Sequence, residues 1–63
     1  MKAKELRTKS IAELKKIAED LRKKINQLII DKSLNKLSKP HILKMTKKDL
    51  ARVLTIIKEK ENA

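Results

Sequence analysis

Apolar residues recur at helical spacing twice along this 63-residue chain, and a short polar, basic interval separates the two runs. In the first run Ile11, Leu14, Ile17, Ala18, Leu21, Ile25, Leu28 and Ile29, advanced by about 100° per residue, fall within an arc of about 120°, the width of one core-facing stripe. Lys15, Lys16, Glu19, Asp20, Lys23 and Asp31 point elsewhere. Ile30 lies roughly opposite the middle of the stripe and is expected on the solvent side. The second run, Ile42, Leu43, Met45, Leu50, Val53, Leu54, Ile56 and Ile57, occupies an arc near 180° and is wider than one facing helix covers. Part of that face is therefore expected to stay uncovered and open to a partner.

Local signals place the ends of both helices. Ser10-Ile11-Ala12-Glu13 reads as a capping box, in which the serine hydroxyl accepts from the Glu13 amide and the Glu13 carboxylate returns to the Ser10 amide. Ser33 to Ser38 is the break. Asn tolerates the left-handed conformation that ends helices, so Asn35 is the expected residue just past the first helix. Ser38 can cap the next helix, and Pro40 fits its first turn, where a missing N–H costs nothing. The expectation is a helix over 11–33, a turn over 34–39 and a helix over 40–60. At 1.5 Å per residue these span about 34 and about 31 Å. So short a connection makes them antiparallel neighbours. The fold class is all-α, a single-domain antiparallel two-helix hairpin (residues 1–63) packed like a coiled coil. Its seam sets Leu14, Ile17, Leu21, Ile25 and Leu28 against Ile42, Leu50, Val53 and Ile57. Residues 1–9 form a basic lead-in with Leu6 as their only large apolar residue after Met1, enough for a helical turn at most. No third element is expected.

Composition narrows the function. The chain has no Gly, Cys or aromatic residue and one Pro, so there is no disulfide framework and no thiolate metal site. Its longest uninterrupted apolar run is Leu28-Ile29-Ile30, too short to span a bilayer. No signal-peptide apolar region follows the basic N-terminus, and a cytoplasmic location is the expectation. The net charge is +10, divided evenly between the halves of the chain, so this is no neutral domain with a basic tail. A polyanion partner follows from that distribution. Eighteen Leu, Ile and Val residues on two helices give a small core, so the free chain is expected to be only weakly cooperative.

Catalysis has little to stand on. His41 is the only histidine and has no acid near it in sequence, and Glu19-Asp20 sits among Lys15, Lys16, Lys23 and Lys24 as a solvated face. No nucleophile–base pair, metal-ligand cluster or Gly-rich loop is present. The expectation is a protein that is not an enzyme and needs no cofactor, metal or small-molecule substrate. The basic stretch from Lys32 to Lys48 is more informative. It contains no Asp or Glu. The candidate RNA-binding residues are Lys32, Lys36, Lys39, Lys44, Lys47, Lys48 and Arg52. A solubilising face is the ordinary meaning of such lysines. Here, however, Lys39, Lys44, Lys47 and Lys48 crowd the N-terminal half of a helix, where the macrodipole disfavours cations and favours a bound phosphate. Asp49 falls inside the apolar arc and is expected to be a rim residue paired with a lysine across the hairpin. Alternatively it orients Arg52, at i+3, toward a phosphate. Without aromatic stacking platforms, base-specific reading is not expected.

Three segments carry a family resemblance: Met1-Lys2-Ala3-Lys4-Glu5-Leu6-Arg7, then Ser10-x-x-Glu13-Leu14, then Lys47-Lys48-Asp49-Leu50-Ala51-Arg52-Val53-Leu54-Thr55. With Leu21, Leu28, Leu37 and Pro40 between them, the chain resembles, without gaps over nearly its whole length, the bacterial ribosomal protein twenty-nine family of the large subunit. The resemblance implies a two-helix hairpin that binds large-subunit rRNA at the rim of the polypeptide exit tunnel. It further implies a place beside neighbouring ribosomal protein twenty-three, near where nascent-chain factors dock. Lys47, Lys48 and Arg52 take the family's basic positions, with Lys replacing the usual Arg pair, a point donor in place of a planar fork. Ile29 stands where the family commonly has Arg, Asn35 where it often has Gly, and Lys39 where it has a capping Asn. The alternative is a small basic helical nucleic-acid-binding protein outside the ribosome. A DNA-binding helical dimer would need a seam that closes on itself. A membrane-active amphipathic helix would need aromatic interfacial anchors, which this chain lacks.

Overall fold

A computed structural model describes residues 2–36 and 39–63, which form three helices and no strand. These are α1 (Ala3–Arg7), α2 (Ile11–Ser33) and α3 (Pro40–Glu61). The two long helices are the ones the periodicity predicts, and α3 runs one residue further than expected. They are antiparallel: Lys15 near the start of α2 reaches Glu61 at the end of α3, with Nζ 3.3 Å from Oε1.

The signals at both ends of α2 act as their chemistry requires. Ser10 is extended (φ −71, ψ 160), and its side chain accepts from the Glu13 amide at 3.2 Å. At the other end Asn35 takes φ 57. The Lys36 amide donates to the Asp31 carbonyl at 2.8 Å and the Asn35 amide to the Lys32 carbonyl at 3.1 Å. This nested pair closes two of the carbonyls that a helix end leaves open, and it forms only when one residue turns left-handed. Pro40 occupies the first turn of α3. The residue before it, Lys39 (φ −132, ψ 87), is the N-cap and makes no capping bond through its side chain. The expected cap Ser38, with Leu37, lies outside the described residues.

The expectation of no third element is corrected by α1. Five residues with one large apolar side chain carry no periodic signal, and this helix forms because Leu6 has a place in the core, where it is 2% exposed. Thr8 ends α1, its hydroxyl donating to the Glu5 carbonyl at 2.6 Å. From there the chain turns into the Ser10 cap. α1 packs on α3, and Arg7 Nε lies 3.6 Å from Glu59 Oε2.

The core joins Leu6 of α1, Leu14, Ala18 and Leu21 of α2, and Val53, Ile56 and Ile57 of α3, with Ile11, Ile17 and Leu50 packed around them. Toward the turn, Ile25 and Leu43 are buried, while Leu28 and Ile42 are half-buried. Thr46 is buried as well, its hydroxyl donating back to the Ile42 carbonyl at 2.7 Å. That internal bond lets a polar residue enter the seam without an unpaired oxygen. Ile29, assigned to the α2 stripe, is exposed instead, while Met45 and Leu54 are the part of the wide α3 face that stays uncovered, as expected. A hairpin offers each helix one facing surface, and side chains at the margins of a wide stripe find nothing to cover them. Ile30 is exposed, as its position opposite the stripe implies.

The molecule is a rod, with extents of 43 × 17 × 14 Å and a radius of gyration of 13.1 Å. A compact chain of this length would have a radius near 10.6 Å. Its accessible surface of 4960 Å² likewise exceeds the roughly 4,200 Å² expected of a compact 7.3 kDa monomer. The rod gives up core and keeps a long outer face.

Candidate nucleic-acid interface

The structure gives the two ends of the rod opposite characters. At the base, where α1 and the ends of the hairpin meet, cations are matched with acids. Arg7 pairs with Glu59, and Lys15 with Glu61. Further along α2, Lys23 pairs with Glu19 one turn away. These pairs are exposed and add little stability. Their consequence is electrostatic, because they gather the carboxylates of the α3 terminus around cations at the base.

Toward the tip the described side chains are mostly cationic. Lys32 lies in the last turn of α2, Lys36 follows the left-handed Asn35, and Lys39 caps α3. Lys44, Lys47, Lys48 and Arg52 follow on α3, and all seven side chains are exposed. Lys44, Lys48 and Arg52 recur at i, i+4 and i+8 and so form one ridge. That ridge lies away from Val53 and Ile57, which face the core.

The two helix ends at the tip differ in what they require. Lys32 stands where the α2 macrodipole welcomes a cation, so helix stability alone accounts for it. The start of α3 presents the opposite case, with Lys39 as cap, no acidic residue in the first turn, and Lys44 just beyond. Charge set against the dipole in this way is relieved by an anion.

Asp49 is half-buried at the edge of the apolar face of α3, and both it and Arg52 have interaction partners. His41 is exposed. Among the described residues no group of three or more His, Cys, Asp or Glu side chains could hold a metal ion, and no helix is long and apolar enough to cross a membrane.

Beside the ridge, a shallow groove runs between α1 and α3. Arg7, Lys48 and Arg52 line it together with Ala3 and Ala51. Arg7 was not among the sequence-derived candidates. It lies more than forty positions from Lys48 in the chain, and only the packing of Leu6 brings it there. A second groove, between α2 and α3, is lined by Lys15, Glu19 and Arg22 with Leu54 and Ile57. Neither encloses a reacting group. The arrangement is suited to a long anionic surface laid along the tip and ridge.

The family model for "Ribosomal L29 protein" matches residues 4–60. The chain is 44% identical over 61 residues to "Large ribosomal subunit protein uL29" of Persephonella marina, covering 97% of this chain and 90% of that one. It is 46% identical over 61 residues to the protein of the same name from Ruminiclostridium cellulolyticum, with 97% and 91% covered. The protein of that name from Protochlamydia amoebophila is 45% identical over 60 residues, with 94% and 82% covered. Matched over nearly all of its length, the chain belongs to the ribosomal L29 protein family, whose members are structural and not enzymes.

Proposed function

We propose that the chain is a structural constituent of the large ribosomal subunit, held in the cytoplasmic ribosome by large-subunit rRNA. Seven exposed cations on one continuous tip and ridge, with no Asp or Glu between Lys32 and Lys48, are the observation that carries this reading. Lys32, Lys36, Lys39, Lys44, Lys47, Lys48 and Arg52 neutralise backbone phosphates and release condensed counterions. The rod spreads them along its length, so the chain recognises RNA shape and not base sequence. Lysines at 47 and 48 act as point charges, while Arg52 presents a planar fork that can take two phosphate oxygens.

A position at the rim of the polypeptide exit tunnel, beside ribosomal protein twenty-three and near nascent-chain factors, is part of the same proposal and is carried by the family resemblance. The exposed Met45 and Leu54, and Ile29 and Ile30 on α2, leave apolar surface for protein neighbours in such an assembly. Cosedimentation of tagged protein with ribosomal subunits after a high-salt wash tests the proposal. Recovery with large subunits is expected. Recovery only with small subunits, or with neither, would overturn it.

A further inference from the structure

We infer that the groove between α1 and α3 seats a phosphodiester of the same rRNA, with Arg7 as an RNA-contacting residue supplied by the short first helix. This rests on the rRNA-binding reading above and extends it across to α1. Arg7, Lys48 and Arg52 line the groove with one carboxylate, Glu59, with the methyl groups of Ala3 and Ala51, and with Thr55 and Ile56. Small side chains let a polymer backbone come close, and cations from two helices can then hold a phosphate from both sides. Lys48 and Arg52 also belong to the exposed ridge, so the groove continues the proposed RNA track without a gap. Glu59 meets Arg7 at its Nε, 3.6 Å away, and the Arg7 side chain remains 60% exposed. The two Nη groups of such a guanidinium are still available for phosphate. The second groove is less cationic: of its lining, Lys15 is paired with Glu61 and Glu19 with Lys23, Arg22 is a second cation, and Ala18, Leu54 and Ile57 are apolar.

The test titrates the full chain and its variants against protein-free large-subunit rRNA, over a range of salt, with circular dichroism of each free variant. Arg7→Gln should weaken binding about tenfold or more, the size of one charge-assisted contact. Its salt slope should become shallower by about 0.7–0.9, one counterion fewer. Glu59→Gln breaks the same ion pair and should bind as well as wild type or better. Ala51→Gln, at an exposed position, fills the groove without touching the ion pair and should also weaken binding; Arg7→Lys should restore most of the slope. A loss of less than about twofold in Arg7→Gln, no more than an exposed ion pair is worth, would overturn the inference. So would equal losses in Arg7→Gln and Glu59→Gln, which would make Arg7 a fastening for α1 only. If the wild-type chain itself does not bind, the rRNA-binding reading falls and this inference with it; if only the groove variants are silent, the inference alone falls.

Discussion

Ile11 and Ile29 stand on the same side of α2, eighteen residues and about five full turns apart. Ile11 packs against the core at the base of the rod, whereas Ile29, near the tip, is 46% exposed. Helical position is the same, so the difference lies in what surrounds each end. The base has three elements: α1 brings Leu6 to meet Leu14, Val53 and Ile56, and ion pairs to Glu59 and Glu61 gather the acids there. Among the described residues the tip has two helix ends, with Ile25 and Leu43 buried and Lys32, Lys36, Lys39, Lys44 and Lys47 exposed around them. The larger part of the core lies at one end, and an acid-free run of lysines lies at the other.

The largest expected effect comes from attacking the base. Val53 is fully buried. Val53→Asp places an unpaired carboxylate in the core and should cost more than about 3 kcal/mol, enough to melt so small a fold. Circular dichroism of the free variant should show most helicity lost. Leu6→Ala comes next. It should cost about 3 kcal/mol and release α1, read as a lower denaturation midpoint and faster amide exchange in residues 3–7. If α1 merely decorates the hairpin, that variant will melt like wild type. Arg52→Glu sharpens the contrast because it neighbours Val53 in sequence. Helix content should hardly change, while rRNA binding weakens by about 1–3 kcal/mol in a titration at fixed salt. Were Arg52→Glu to unfold the rod while Val53→Asp left it intact, the two faces of α3 would be reversed. The smallest effect belongs to the turn. Asn35→Ala should cost about 1 kcal/mol in thermal or urea melts, since alanine lacks the local hydrogen bonding that makes the left-handed conformation tolerable.

Much of this architecture was legible from residue order because the deciding interactions are local. Ser10 and Glu13 are three positions apart, Asn35 ends its helix through bonds to carbonyls within five residues, and Pro40 acts on its own turn. Both long apolar stripes repeat often enough for the helical period to emerge. α1 was not legible, since its one anchor, Leu6, is stabilised by residues such as Val53 and Ile56 far along the chain. The exposure of Ile29 escaped prediction for the same reason, because periodicity gives a direction but not what stands opposite, whereas the breadth of the α3 arc already implied uncovered residues such as Met45 and Leu54. Thr46 shows the reverse case, a polar residue whose burial depends on a bond to its own helix. On the candidate surface, the tip lysines could be read from an acid-free run of sequence. Arg7 beside Lys48 and Arg52 required the fold.

The division of labour between base and tip is tested most directly by the salt dependence of rRNA binding. If about six phosphates are neutralised at the tip and ridge, log K should fall with log salt at a slope near −4 for RNA of single-strand-like charge density and near −5 for duplex. Replacing Lys36, Lys39, Lys44 and Lys47 together with Gln should flatten that slope by about 3, at roughly 0.7–0.9 per charge, while circular dichroism stays close to wild type. A wild-type slope near zero, or a steep slope that the four substitutions leave unchanged, would contradict the account.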